Sequence, residues 1–532
     1  MSELLHHLLD HSAERAPDAP ALTWLDRTLR YGELAALTAA VAGGLHAIGL
    51  RRGERVAFYL DKRFETVATA FGTARAGGAF VPVNPVLKGD QVGHILRDCN
   101  VRVLVTSPER IAAIANTLAE CPDLRHIVLT GDAPAPAVPG KSFLRWAELV
   151  GHAPVAGHRV IDVDLLAILY TSGSTGRPKG VMLSHRNMVA GAKSVASYLG
   201  NHPQDTLLAA LPLSFDAGFS QLTTAFHAGA RVVLLNWLMP RDVLGALDRE
   251  KVTGLTAVPP LWIQLTQLEW PAVIADSLRY IANTGGRMPR ETLQQLRARL
   301  PRTQPFLMYG LTEAFRSTYL PPSEVDKRPD SIGRAIPNAE ILVLRPDGTP
   351  CDPGEPGELV HRGALVGMGY WNDPAKTAER YKPLPVGVGG REAGMVIPEL
   401  AVFSGDTVQM DAEGFLYFIG RRDEMIKTSG YRVSPTEIEE ALYGTRLVGE
   451  AAAFGIPHPT LGQAIVVIVT PPAGGTLTAD DLLAECRKVL PAYMVPATIE
   501  VRGGPLPRNA NGKIDRKALA TAHEAQRTGA GA

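Results

Sequence analysis

Short apolar, β-branched runs alternate along this chain with longer segments that have helical periodicity. Such runs occur at residues 55–60, 101–105 and 231–235, and an alanine-rich stretch follows the first of them. Strands separated by helix-length segments are typical of βα units, in which consecutive strands lie parallel. The pattern therefore predicts an α/β fold with largely parallel sheets.

The clearest domain boundary follows a strand-like run at 414–420, which ends in a charged cluster at 421–424. Beyond it, Ser434, Pro435 and Glu437 have the spacing of an N-cap, a first-turn proline and a capping box, so a helix should begin there. A strand at 464–470 and a helix at 478–490 complete a unit of about 100 residues. We predict a large N-terminal domain of βα-rich sheets over 1–422, a small C-terminal α+β domain over 423–520, and a disordered tail over 521–532.

Composition narrows the function classes. The chain has 532 residues, too many for a single core, and its 54 basic and 54 acidic residues balance, which argues against a nucleic-acid partner or an anionic membrane surface. The four cysteines are far apart and lack CxxC spacing. No apolar run approaches the roughly 20 residues of a membrane span. These features predict a cytoplasmic protein with no membrane span; they leave its oligomeric state open.

The most informative segment, 170–180, directly follows a strand-like run at 165–169. It contains three glycines, four threonine or serine hydroxyls and Lys179, a composition that suits a polyphosphate because backbone N–H groups, hydroxyls and one cation can converge. It is not a Walker A loop, since Arg177 and Pro178 follow Gly176. The predicted phosphate-binding residues are Thr171, Ser172, Gly173, Ser174, Thr175, Gly176 and Lys179.

This segment resembles the signature loop of the adenylate-forming superfamily, which includes acyl-CoA synthetases, peptide-synthetase adenylation domains and luciferases. Further motifs of that superfamily recur in order at 309–313 (YGLTE), 404–406 (SGD), 420–423 (GRRD) and 511–515 (NGKID). The resemblance covers nearly the whole chain. The sequences of residues 309–319 and 419–437 are also similar to those of acyl-CoA ligases found near bacterial exosortase systems. It implies a mobile C-terminal domain and a two-step reaction, in which ATP and Mg²⁺ convert a carboxylic acid to its acyl-adenylate and the acyl group then passes to a thiol.

The same resemblance assigns the remaining site residues. Lys513 would reach the acid from the small domain and supply positive charge, and Glu313, beside Thr312, would bind Mg²⁺. From composition alone, Lys513 is an exposed tail lysine. The resemblance places Gly285, Gly286 and Tyr309 at the adenine, and it includes Gly310 among the nucleotide-binding residues. Asp406 would accept hydrogen bonds from the ribose hydroxyls, and Arg421 would contact the ribose or a phosphate. Asp423 would lie at the hinge, and Lys427 and Gly430 would lie near the thiol in a second pose of the small domain.

The acid itself is open. Asp216 lies in an apolar stretch at 211–219, where a carboxylate is costly unless paired. It resembles the aspartate that binds the α-ammonium in amino-acid-activating members, and Arg316 and Ser317 fall where the family lines its acyl pocket. The substrate is therefore a small amino acid or another polar acid, with Arg316 meeting a second carboxylate, unless Asp216 and Arg316 simply pair with each other.

Alternatives remain for the reaction as well. The chain has no evident carrier-protein segment, so the acceptor is CoA or the phosphopantetheine of a separate carrier protein. Three other interpretations are a long-chain fatty acyl-CoA ligase, an enzyme that forms acyl-AMP without a thioester, and a non-enzymatic nucleotide-binding regulator. Intact Lys513 and Glu313 argue against the regulator.

Overall fold

The computed structural model describes residues 3–131, 138–171, 178–421, 424–428, 431–458, 460–509 and 512–529. The helices are α1 Leu5–Arg15, α2 Tyr31–Ala47, α3 Phe64–Ala76, α4 Gly89–Asp98, α5 Pro108–Ala119, α6 Trp146–Val150, α7 His185–Leu199, α8 Asp216–Ala228, α9 Pro240–Arg249, α10 Pro259–Thr266, α11 Ile274–Ser277, α12 Arg290–Arg299, α13 Pro374–Arg380, α14 Pro435–Gly444, α15 Ala479–Val489 and α16 Arg516–Gly529. Short 3₁₀ turns occupy Thr312–Ala314, Pro322–Glu324 and Ala492–Met494.

The strands follow in chain order. They are β1 Pro20–Trp24, β2 Arg27–Arg30, β3 Arg55–Tyr59, β4 Ala79–Pro82, β5 Val101–Thr106, β6 His126–Leu129, β7 Ser142–Arg145, β8 Leu165–Thr171, β9 Lys179–Ser184, β10 Thr206–Ala209, β11 Arg231–Leu234, β12 Gly254–Ala257, β13 Tyr280–Asn283, β14 Gln304–Tyr309, β15 Thr318–Leu320, β16 Ser331–Ala335, β17 Ala339–Leu344, β18 Gly357–Gly363, β19 Tyr381–Pro383, β20 Leu400–Met410, β21 Leu416–Arg421, β22 Ile426–Thr428, β23 Tyr431–Val433, β24 Glu450–His458, β25 Gly462–Thr470 and β26 Thr498–Val501.

The largest sheet changes character across its width. Its order is β17-β18-β20-β21-β16-β15-β14-β13-β12-β10-β11-β1-β2, with β19 beside β20. Pairing is parallel from β1 through β11, β10, β12 and β13 to β14, and antiparallel from β14 through β15 and β16 to β21, β20, β18 and β17. The predicted parallel arrangement is therefore wrong for residues 318–421. Strands there follow one another mostly without intervening helices, and short connections favour antiparallel pairing.

A second sheet has the order β7-β6-β5-β3-β4-β8-β9. Its strands pair parallel until the last step, where β8 and β9 form an antiparallel pair. The predicted phosphate loop connects β8 to β9. This arrangement holds the two ends of the loop in register at the edge of a sheet whose central strands are buried.

The C-terminal residues form a separate, smaller sheet with the order β23-β22-β25-β24 and with β26 beside β25. Alternate residues of β25 face opposite sides, as strand geometry requires. Val467 and Val469 pack with α14 and α15, whereas Val466 and Ile468 pack with Leu519 of α16. A large N-terminal α/β unit and a small C-terminal α+β unit are thus confirmed.

The predicted disorder of 521–532 is wrong for the part that the structure describes, because α16 continues to Gly529. Leu519 is fully buried, and the ring of His523 contacts Phe454 edge-on with 6.1 Å between centroids. Small, alanine-rich sequence indicates disorder only when it has no partner surface, and here the sheet supplies one. Within the described ranges, no helix is both long enough and apolar enough to cross a membrane.

Candidate functional site

One corner of the candidate site is built by strand pairing. Asp406 on β20 stands opposite Arg421 on β21 in the antiparallel register, and Arg421 Nε lies 3.5 Å from Asp406 Oδ1. Tyr309, the last residue of β14, donates its hydroxyl proton to Asp406 Oδ2. Residues of three separate sequence motifs therefore meet at one carboxylate.

The carboxylate of Asp406 is mostly shielded, with 13% of the side chain exposed. Burial raises its pKa above the ordinary value, and the positive charge of Arg421 opposes that shift. Among the described residues, Oδ1 has no hydrogen-bond partner. A buried acceptor of this kind fits a hydroxyl-rich ligand such as a ribose, since an unmade hydrogen bond is costly.

The base of the phosphate loop lies close to the predicted metal-binding carboxylate. Thr171 and Lys179 pair directly across β8 and β9, and Lys179 Nζ lies 5.7 Å from the ring centre of Tyr370. The hydroxyl of Tyr370 donates to Glu313 Oε1 at 2.5 Å. Ser172, Gly173, Ser174, Thr175 and Gly176 lie outside the described residues.

Glu313 is held by its backbone as well as by Tyr370. Thr312 and Glu313 occupy the 3₁₀ turn after β14, and the amide of Gly367 donates to the Glu313 carbonyl at 2.8 Å. No group of three or more potential metal ligands occurs in the described part of the chain. One carboxylate completed by phosphate oxygens and water is, however, a usual way for proteins to hold Mg²⁺.

Lys513 enters the site from the C-terminal unit. A Cβ added to Gly285 would lie 2.9 Å from Lys513 Cε, and Lys513 Nζ lies 5.8 Å from the ring centre of Phe215. Burial lowers the pKa of the Lys513 ammonium, and the negative charges of Asp216 and Asp406 oppose that shift. The Lys513 side chain therefore lies against Gly285 and near Phe215, the residue that precedes Asp216.

Asp216 and Arg316 form a buried ion pair. Arg316 Nη1 donates to Asp216 Oδ2 at 2.9 Å, and the two side chains are only 3% and 4% exposed. Burial raises the pKa of Asp216, while Arg316 and then Lys513 oppose the shift. The two charges left open by the sequence therefore pair with each other in this structure, and the roles of Asp216 and Arg316 towards a substrate stay a prediction.

Arg316 also lines a small cavity of about 20 Å³ between α7, α8 and strands β10, β12, β13 and β14. Part of its wall is polar. The side-chain N–H of Gln221 donates a hydrogen bond to the Gly218 carbonyl at 3.0 Å. Gln221 Oε1 and Arg316 Nε have no hydrogen-bond partner among the described residues. The cavity has room for about one water molecule.

The turn that presents Arg316 is strained. Phe315 has φ of 56°, a left-handed conformation that a bulky residue rarely adopts. Its buried ring packs against Gly191, since a Cβ added to Gly191 would lie only 2.4 Å from Phe315 Cδ1. Sequence reasoning missed this turn, and also Phe215 and Tyr370, because none of them stands out from ordinary core residues.

The remaining predicted site residues are packed within the protein, exposed, or outside the described residues. Ser317 is fully buried, and its hydroxyl forms a 2.9 Å hydrogen bond with His361 Nδ1, so that hydroxyl is already used within the protein. A Cβ on Gly310 would lie 3.2 Å from the Arg316 backbone, and one on Gly286 would lie 3.2 Å from Pro259. Lys427 is exposed on β22. Asp423 and Gly430 are outside the described residues.

Comparisons with known proteins find similar sequences over nearly the whole chain. A family model described as AMP-binding enzyme matches residues 9–371, and one described as AMP-binding enzyme C-terminal domain matches residues 437–513. The chain is 31% identical over 507 residues to a feruloyl-CoA synthase of Amycolatopsis sp, covering 94% of this chain and 95% of the relative. It is also 31% identical over 554 residues to a long-chain-fatty-acid–CoA ligase of Salmonella typhimurium, covering 97% and 94%.

A solved structure shares the whole architecture. ATP-bound MatB from Rhodopseudomonas palustris superposes with a TM-score of 0.85 at 25% identity, covering 98% of this chain and 99% of that one. The two relatives with similar sequences are named for very different acids. Their names therefore do not transfer a substrate to this chain.

Proposed function

Since this chain belongs to the AMP-binding enzyme family and is an AMP-forming acid–thiol ligase, we propose that its acid is small and polar and that its thiol is that of CoA. The observation that carries the proposal is the position of Lys513, whose Cε lies 2.9 Å from the Cβ position of Gly285 and whose Nζ lies 5.8 Å from the ring centre of Phe215, the residue before Asp216. A cation there can neutralise both an incoming carboxylate and the phosphate it attacks.

In the first step, an oxygen of the acid forms a bond to the α-phosphorus of ATP while the bond from that phosphorus to pyrophosphate breaks. Two anions must approach each other, so positioning and charge neutralisation are the main catalytic contributions. We assign the charge neutralisation to Lys513. Asp406 accepts hydrogen bonds from the ribose hydroxyls through the carboxylate oxygen that Tyr309 does not contact. Arg421 holds this carboxylate in place, and Gly285 and Gly286 lie against the base.

The triphosphate is assigned to the loop between β8 and β9. Its residues at 172–176, together with Thr171 and Lys179, would hold the departing pyrophosphate through N–H groups, hydroxyls and one cation. Glu313, in the same 3₁₀ turn as Thr312, would bind Mg²⁺, which supplies charge neutralisation on the phosphate oxygens. The contact from Tyr370 to Glu313 orients this carboxylate.

In the second step, the CoA sulfur attacks the acyl carbon, the thiol gives up its proton, and AMP leaves with the electrons of the broken carbon–oxygen bond. We assign Asp423 to the hinge about which the C-terminal unit turns, and Lys427 and Gly430 to the surface that then faces the thiol. The exposed position of Lys427 is compatible with a role in a different pose. The phosphopantetheine of a carrier protein is the alternative acceptor.

The cavity beside Arg316 bears on the size and polarity of the acid substrate. Arg316 Nε and Gln221 Oε1 are buried in the wall of this cavity and need a polar partner, which a long alkyl chain cannot supply. An α-ammonium group would have to compete with Arg316 for Asp216, whereas a distal carboxylate or hydroxyl could accept a hydrogen bond from Arg316 directly. A small acid with a polar distal group is therefore favoured, and an amino acid is the second candidate.

The test is an ATP–pyrophosphate exchange screen. It compares short dicarboxylic and hydroxy acids, amino acids, aromatic acids and long-chain fatty acids, followed by mass spectrometry for CoA thioesters. Exchange with small polar acids and formation of their CoA thioesters is expected. Exchange driven only by long-chain fatty acids contradicts the acid assignment, and AMP release without thioester contradicts the thiol assignment.

The variant Lys513→Ala tests the chemical core. Removing one preorganised cation should lower adenylation by about 10²- to 10³-fold, whereas ATP affinity, measured calorimetrically without acid, should change little. Parental exchange activity in this variant would refute the assigned role of Lys513.

A further inference from the structure

Helix α14 of the C-terminal unit docks on the start of α12 in the N-terminal unit through one glutamate. Glu440 Oε1 accepts a hydrogen bond from the backbone N–H of Arg290 at 3.0 Å, and Glu440 Oε2 lies 3.8 Å from Arg287 Nε. Arg290 is the first residue of α12, where amide protons have no partner inside the helix and the helix dipole favours a negative charge.

Two neighbouring interactions prepare this contact. Asp330 forms ion pairs with both Arg287 and Arg290, so the two arginines are held in place beside Glu440. Just beyond α14, Arg446 Nη2 lies 3.0 Å from Glu291 Oε2. Arg446 is 70% exposed, so this second pair is expected to add little by itself.

Helix α14 is also tied to the segment that carries Lys513. Glu439, the neighbour of Glu440, receives two hydrogen bonds from the guanidinium of Arg516, at 2.9 and 2.6 Å. Arg516 begins α16, three positions after Lys513. A continuous set of contacts thus runs from the start of α12 through Glu440, α14 and Arg516 to the segment that contains Lys513.

We infer that Glu440 is a positioning residue, which docks the C-terminal unit on α12 and thereby holds Lys513 in the site while the acid is adenylated. The inference rests on the proposed role of Lys513. Glu440 is 20% and Arg287 is 27% exposed, so water reaches the contact. Such a polar contact can break and reform in each catalytic cycle, whereas a dry apolar interface of the same extent would hold the units together more permanently.

The first experiment measures docking without any acid. In a full-length chain with Cys351→Ser, the pair Glu291→Cys and Arg446→Cys is treated with a short bismaleimide in the presence of ATP and Mg²⁺. Adding Glu440→Ala should slow cross-linking about five- to tenfold, because the docked population falls. Adding Glu437→Gln, on the exposed face of the same helix, should leave the rate unchanged. Equal rates with and without Glu440→Ala would overturn the inference.

The second experiment separates the two half-reactions. With the acid that drives exchange best in the screen, Glu440→Ala should lower pyrophosphate exchange about five- to tenfold with KM for ATP within twofold. Thioester formation from the synthetic acyl-adenylate and CoA should stay within twofold. A merely structural defect would lower both half-reactions together, and that result would also contradict the inference.

The outcomes distinguish this inference from the proposed function. Loss of exchange in Lys513→Ala combined with parental behaviour of Glu440→Ala would remove only the docking role. Retained exchange in Lys513→Ala combined with slower cross-linking in Glu440→Ala would remove the role of Lys513 and keep the docking contact.

Discussion

At the scale of single residues, Asp406 shows how burial turns a strand aspartate into a site for a ligand. Its carboxylate has a tyrosine donor on one oxygen and, within the described chain, no hydrogen-bond donor on the other. The raised pKa records the cost of shielding that charge from water. A ribose that donates to the second oxygen would recover part of this cost.

Asp406→Asn should therefore weaken ATP binding about 10- to 100-fold, since hydrogen bonds to a charged group contribute about 1.5–3 kcal/mol. Because burial raises the pKa of Asp406, ATP affinity of the parental protein should also fall on acidification, starting at a higher pH than for an exposed aspartate. Calorimetric titration of ATP between pH 8 and pH 5 measures both effects. An affinity that is independent of pH and unchanged in the variant would contradict the assignment.

Gly285 is a second residue whose importance depends on the fold. It has φ of 75°, and an added Cβ would lie 2.9 Å from Lys513 Cε. Gly285→Ala should lower adenylation at least tenfold, because the new methyl group displaces the lysine and the backbone is strained. Gly286→Ala, whose Cβ would meet only the edge of Pro259 at 3.2 Å, is the matched control and should have a smaller effect on pyrophosphate exchange.

At the scale of elements, the ends of strands and helices bring the chemistry together. Asp216 is the first residue of α8, Tyr309 is the last of β14, and the register of β20 with β21 sets Asp406 opposite Arg421. Strand alternation and helix signals predicted most of these elements. They did not predict the antiparallel half of the large sheet, since a strand's own pattern carries little information about its partner's direction.

Helix α16 gives a test at this scale. It packs Leu519 against β24 and β25, and His523 Nδ1 lies 3.4 Å from Glu500 Oε2. Deleting residues 521–532 should lower the melting temperature of the C-terminal unit by a few degrees, and Leu519→Ala should cost about 2–4 kcal/mol through the cavity it leaves. Thermal unfolding measures both changes. A disordered tail would instead be removed without any change in melting temperature.

At the scale of the whole molecule, Lys62 joins the two large sheets. It follows β3 of one sheet, and its ammonium donates to the carbonyls of Ala209, Ala210 and Leu211, at the end of β10 in the other, at 2.9, 2.9 and 3.3 Å. Those carbonyls lead directly into the segment that carries Phe215 and Asp216. Burial lowers the pKa of Lys62 to about 7.

Lys62→Met should destabilise the protein by about 2–4 kcal/mol, because three carbonyls lose their donor. The folded protein binds this proton less tightly than the unfolded chain, whose lysine has a pKa near 10.5, so the contribution of Lys62 to stability should increase with pH above 7. The gap in melting temperature between parental and variant protein should be larger at pH 9 than at pH 6.5. A constant gap would contradict the lowered pKa.

The sequence by itself determined the order of the motifs, the α/β character and the division into a large and a small unit, because periodicity, caps and glycine-rich turns are local properties. Only the tertiary structure decided that Lys513 reaches Gly285 and that Asp216 is neutralised by Arg316. Those contacts join residues that are about one hundred or more positions apart, and their distances depend on how separate sheets and units pack, which no local pattern encodes.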